Sequence, residues 1–243
     1  MDKEHIVKSF DKDLELIESL LLEMGGLVEA QMSDAILALT RRDIELADKV
    51  RAADKKIDAL EFEINEKAVN TLALRQPVAD DLRSVVAILK VSASLERIGD
   101  YAKNMAKRTH VLAKGAPVIT SVNTIKRMSQ MVQEMVTEVL DAFVARDIQT
   151  ANAIRIRDQE VDLIHNTLFR ELLTYMMEDP RNITSCMHLL FIAKNIERAG
   201  DYATGIAEQV HYLVTGEMPD DERPKGDTTS TTFVDPEHIL RRS

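Results

Sequence analysis

The sequence predicts an all-α protein made of two tandem, structurally similar three-helix bundles. Three observations carry that expectation. The 243 residues contain only 8 Gly and 6 Pro and no Trp, against an abundance of helix formers. Apolar residues recur in steps of three and four. And the chain repeats itself, with "LERIGDYAKNMA" (95–106) returning as "IERAGDYATGIA" (196–207).

The first helix follows the stripe Ile6, Phe10, Leu14, Ile17, Leu21, Met24, Val28, Met32, Ala35 and Leu39, with Gly25 and Gly26 expected to weaken or bend it without ending it. A second stripe runs Leu46, Val50, Ala53, Ile57, Leu60, Ile64 and Ala68. The joint "TRRDIE" between them has neither Gly nor Pro, which leaves Asp43 as the N-cap candidate and a continuous rod as the alternative. Pro77 in "RQPVADD" ends the second helix, and a third reaches about Lys114. "AKGAP", with Gly115 and Pro117, breaks the chain, after which helix, helix, the turn "EDPRN" around Pro180 and helix follow. The expected division is 1–114, 115–215 and a flexible tail, 216–243, whose polar, aperiodic composition offers little surface to bury.

A shift of 104 positions lays Arg42–Asp58 on Arg146–Asp162 with seven of seventeen residues identical, and a shift of 101 aligns the quoted motifs. Among the residues retained in both copies are Asp54 and Asp58 with Asp158 and Asp162, and Glu96 and Asp100 with Glu197 and Asp201. Each pair is spaced i, i+4 and shares a helix face. Taken alone, such pairs are ordinary on an acidic helix.

The turns change their meaning. Asp58 and Glu96 each lie nineteen residues from Pro77, and Asp54 and Asp100 each lie twenty-three. About Pro180 the offsets are eighteen and seventeen, then twenty-two and twenty-one. In an antiparallel hairpin, four carboxylates therefore stand at one height on helices about 8–10 Å apart. Like charges so close need cations or protons. The periodicity sets the acids at the edge of the core, where oxygen ligands suit magnesium, manganese or iron, with zinc also open. Glu61 and His165 share that face as auxiliary candidates. His110 and His211 lie about 15 Å further along. Arg97 and Arg198 read as surface ion pairs, and Tyr101 and Tyr202 as packing residues.

The composition excludes much else. A net charge of −10 argues against nucleic acid, and the single Cys186 excludes an intramolecular disulfide. No apolar run suggests a signal or a membrane span, so a cytoplasmic location is expected. No phosphate loop, nucleophile elbow or "HExxH" appears, and nothing reads as an enzyme. Two other readings stay open on the residues alone: a ferritin-like carboxylate-bridged metalloenzyme or metal store, and a metal-free helical scaffold.

"ALRQPVADDLRSVVAILKVSASLERIGDYAKNMAKR" and "IAKNIERAGDYATGIAEQVHYLVTGE", with "MGGLVEAQMSDAILAL" and "VRAADKKIDALEFEI", closely resemble the PhoU family, over about residues 5 to 216. The resemblance implies a negative regulator of the phosphate-starvation response that restrains phosphate uptake. It implies partners in a phosphate transporter's ATPase subunit and a membrane sensor histidine kinase, a homodimer, and a place peripheral to the inner membrane without insertion. It also marks Asp54, Asp58, Glu96, Asp100, Asp158, Asp162, Glu197 and Asp201 as ligands of divalent or trivalent metal ions. One departure stands out: Asn104 of the "GDxAxN" pattern has Gly205 as its counterpart, so equal occupancy of the two sites does not follow.

Overall fold

The computed structural model describes residues 3–115, 119–220 and 225–232. Six long helices account for nearly all of them: α1 (Lys3–Arg41), α2 (Ile44–Arg75), α3 (Ala79–Leu112), α4 (Ile119–Ala145), α5 (Ile148–Glu178) and α6 (Ile183–Thr215). Short 3₁₀ turns occur at Pro180–Asn182 and Thr229–Thr231. No strand occurs among the described residues. Pro117 lies outside the described residues.

The joint without Gly or Pro is a turn, and its chemistry is visible. Arg42 takes a left-handed φ of 56° as the residue after α1, and the Asp43 amide reaches back to the Ala38 carbonyl at 2.9 Å. Asp43 then caps α2, its carboxylate accepting from the Leu46 amide at 3.0 Å. The second copy repeats the device, with Arg146 at φ 53° and Asp147 accepting from the amides of Gln149 and Thr150. Arg42 serves as more than a turn residue, because its guanidinium donates to the carbonyls of Leu112 and Ala113 at 2.9 and 2.8 Å and to that of Gly115. Those carbonyls lie at and just beyond the end of α3, where intrahelical donors run out.

Within each half the helices run up, down and up around a buried core, and that core is continuous between halves. The halves meet along two antiparallel seams. On one, Lys90 of α3 lies over Tyr212 of α6, Tyr101 meets Tyr202, and Arg108 lies 4.1 Å over the Phe191 ring. On the other, α1 passes so close to α4 that a Cβ on Gly25 would meet Leu140 Cδ1 at 2.5 Å. α1 runs unbroken through Gly25 and Gly26.

Two expectations are corrected. The α2 stripe includes Asp54, buried at 3% exposure, while Ala53 is exposed. The tail is also not simply loose, since residues 225–232 pack against α5 and α6.

Candidate metal centres

The α2–α3 hairpin sets Asp54, Asp58, Glu96 and Asp100 within electrostatic reach of one another, and in the α5–α6 hairpin Asp158 packs against Gly200, the neighbour of Asp201. A Cβ on Gly200 of α6 would lie 2.7 Å from Asp158 Oδ1, and one on Gly99 of α3 would lie 3.1 Å from Gln31 Oε1 and 3.2 Å from Ile57 Cδ1. Gln31 in turn donates to Asp54 Oδ1 and to the Val50 carbonyl, both at 3.3 Å. The repeated Gly-Asp of "GDYA" thus pairs a close helix contact with a carboxylate, a role the sequence reading did not assign to Gly99 and Gly200. Its signal was available, since glycine is costly inside a helix unless packing requires it.

In the first half, the Lys103 ammonium bridges Asp54 and Asp100, at 3.1 Å from Asp100 Oδ1. Arg97, 55% exposed, makes the expected surface ion pairs, with Glu96 and Asp100 of its own helix at 3.5 and 3.4 Å, and so lends positive charge to the rim of the cluster. Even so, burial pushes the Asp58 carboxyl up, Asp54 and Asp100 push it further, and Lys103 opposes them. Glu96 is raised by burial and then by Asp100, with Glu61 adding to the push and Arg97 resisting it. The hydrogen bond to Asp54, with that to Asp100, raises Lys103 against the cost of its own burial.

The second half is deeper. Asp158, Asp162 and Glu197 are all at most 4% exposed, and only Asp201 is half-buried. Edge-of-core placement therefore fails here, as it does for Asp54, which Gln31 and Lys103 hold; at Asp158 the facing Gly200 leaves room for the carboxylate. Lys194 bridges Glu197 and Asp227, each at 2.8 Å. Burial drives Glu197 up, and Asp201 and Asp227 add to that while Lys194 opposes it. His165 is buried 3.6 Å from Asp227 Oδ1, and burial, helped by Lys194, lowers its pKa against the pull of Asp227 and Asp162. Asp227 was absent from the sequence-based site. Despite the push of burial, Lys194 and Thr229 hold its carboxyl well below the usual carboxylate range.

His110 and His211 do not join the clusters; they bond to Asp48 and to the Glu217 carbonyl, each at 3.0 Å. Tyr101 and Tyr202 pack on one another, and Arg198 donates to Tyr101. The donor sets suit hard cations in their chemistry: they are oxygen-rich, burial and neighbouring carboxylates raise Asp58, Glu96 and Glu197, and a lysine ammonium stands in for positive charge in each. No three such side chains form a ready-made chelate among the described residues, so a cation would draw the carboxylates inward from these positions.

With this geometry in view, comparison with known proteins is decisive. The PhoU domain model matches twice, over residues 21–109 and 125–210. The chain belongs to the PhoU family. A "Phosphate-specific transport system accessory protein PhoU homolog" from Rhizobium meliloti is 47% identical over 231 residues, covering 95% of this chain and 98% of its own length. A protein of the same description from Caulobacter vibrioides is 49% identical over 227 residues, covering 93% and 99%. The crystal structure of PhoU from Pseudomonas aeruginosa aligns with a TM-score of 0.82 at 43% identity, covering 86% of this chain and all of the other. That of the phosphate transport system regulatory protein PhoU from Streptococcus pneumoniae gives 0.79 at 30% identity, covering 87% and all of the other. Both matched domains span the hairpin that carries a complete set of four acids.

Proposed function

We propose that this PhoU-family protein is an accessory regulator of a phosphate-specific transport system, acting without an enzymatic step of its own. Its role is to restrain uptake and hold down the phosphate-starvation response when phosphate is plentiful. It does so as a helical adaptor, in contact with the transporter's ATPase subunit and with a membrane sensor histidine kinase, and its working form is a homodimer. No described helix is long and apolar enough to cross a membrane, so membrane association would come through those partners.

The observation that carries the metal part of this reading is the duplicated acid level with a lysine in each. Asp54, Asp58, Glu96 and Asp100 in the first half, and Asp158, Asp162, Glu197 and Asp201 in the second, would hold iron, manganese, magnesium or zinc as divalent or trivalent ions. Bound cations would supply the positive charge that Lys103 and Lys194 now provide, and would fix α2 to α3 and α5 to α6 at the faces the acids define. The protein's own residues set the geometry: Gly99 and Gly200 permit close approach, and Arg97 balances what charge remains.

The regulatory reading is tested by deleting the gene and measuring alkaline phosphatase in phosphate-rich medium, where loss of repression is expected and unchanged repression would refute it. A pull-down with the ATPase subunit and the kinase, with and without chelator, tests the adaptor role. Metal analysis after dialysis, with thermal shifts on adding manganese or iron, tests the sites. Absence of both retained metal and any shift would leave a metal-free scaffold.

A further inference from the structure

The tail segment Lys225–Thr232 lies on the second acid cluster, through Asp162, Asn166 and Lys194. Its backbone is clamped at both sides of Asp227. The Gly226 amide donates to Asp162 Oδ2 at 2.7 Å, Asn166 Nδ2 donates to the Gly226 carbonyl at 2.6 Å, and the Thr228 amide donates to Asn166 Oδ1 at 3.1 Å. A Cβ on Gly226 would stand 3.1 Å from Asp162 Cβ, so a side chain there would push the strap and Asp162 apart by a few tenths of an ångström. Asp227 itself is shaped by its own turn, its Oδ1 accepting from the Thr229 amide and hydroxyl at 2.8 and 2.7 Å, and its Oδ2 accepting from Lys194.

The receptor for this strap is specific to one half. Asn166, His165 and Lys194 occupy positions where the first half has Phe62, Glu61 and Ala93. Phe62 is 65% exposed and has no group able to grip a backbone amide and carbonyl. The lysines are also transposed. Lys103 stands three residues after Asp100, where the second half has Thr204, whereas Lys194 stands three residues before Glu197. The first cluster is left open to solvent on its Asp58 side, and the second is closed by the chain's own backbone.

We propose that Lys225–Thr232 is a docked strap that competes with cations for the second cluster, so that the two clusters of one molecule fill at different cation concentrations, the first before the second. Two predicted ligand oxygens are already engaged when the strap is down: Asp162 Oδ2 by the Gly226 amide and Glu197 Oε2 by Lys194, which Asp227 helps to hold. A cation entering there must displace the amide and release the ammonium, which frees Asp227 and the segment with it. The proposal rests on the reading of the acid clusters as cation sites, and the test separates the two.

Manganese binding is measured on the full chain carrying Asp58→Asn and Glu96→Gln, which disables the first cluster, with and without Asn166→Ala, which unclamps the strap without changing charge. Tightening of the manganese Kd by about tenfold or more is expected on unclamping. Gly226→Pro, which removes the amide donor and leaves Asn166 in place, gives an independent version of the same comparison. In the unsubstituted protein, hydrogen exchange across 225–232 is expected to accelerate when manganese is added. A Kd unchanged or weakened by both substitutions, no binding in either form, or slower exchange on adding manganese would overturn the strap's competitive role. The parallel protein with Asp162→Asn and Glu197→Gln reports the first cluster alone. If manganese binds there while the strap substitutions do nothing, only the strap proposal falls; if it binds to neither cluster, the metal reading falls as well.

Discussion

Gly200 faces Asp158 so closely that the single carbon of an alanine would sit 2.7 Å from the carboxylate oxygen. Asp158 is almost wholly buried, so it has little room to retreat. Gly200→Ala is therefore expected to destabilise the protein by about 1–2 kcal/mol, the overpacking cost outweighing the gain in helix propensity. Gly205, in the same helix, meets nothing within 4 Å, and Gly205→Ala is expected to stabilise by about 0.5–1 kcal/mol. Urea denaturation of the two variants gives opposite signs if the glycine contact has been read correctly.

Lys103 predicts a trade between stability and cation affinity. Lys103→Gln removes the ammonium that bridges Asp54 and Asp100. In chelator at neutral pH the variant is expected to unfold at lower temperature. Asp58 and Glu96 have raised pKa values, so their ionisation costs the fold above those values and the cost lifts as pH falls towards their ordinary range. The deficit of the variant should accordingly shrink on acidification, and its manganese affinity should exceed that of the parent. Calorimetry in chelator across pH, with a manganese titration, checks both.

Asp43 is expected to be worth about 1 kcal/mol as the cap of α2, so Asp43→Ala should lower the urea midpoint, and Asp43→Asn should restore most of it. The test has structural content because the α1–α2 joint depends on this cap and on the left-handed Arg42, with no glycine to make the turn easy.

His188 supplies a pH signature away from the clusters. Burial first, and Arg108 next, hold its pKa below 6.5. The unfolded chain therefore takes up a proton before the folded one does, and stability contributed above about pH 6.5 is lost as pH falls through that value. His188→Gln should show a shallower loss of stability between about pH 7 and 5.5 than the parent, measured by denaturant unfolding at each pH.

The helices, their pairing and the grouping of Asp54, Asp58, Glu96 and Asp100 were legible because apolar spacing and the offsets from Pro77 are properties of one dimension. The depth of those acids was not. Apolar spacing favours Ala53 over Asp54 for the inner face, yet Asp54 is the buried one, held by Gln31 of α1 and Lys103 of α3, partners that emerge only when the helices are set side by side. The docked tail was hidden for a related reason. Gly226, Asp227 and Thr228 carry no periodicity, and their order comes from Asn166 and Lys194, some sixty and thirty residues away, which single-residue composition does not connect.

The transposed lysines make the two halves unlike in a way that fusion preserves. Had each unit been a separate chain, subunits could pair at random and every copy would carry the same version. Joined in one polypeptide, one open and one strapped unit are delivered in fixed one-to-one ratio.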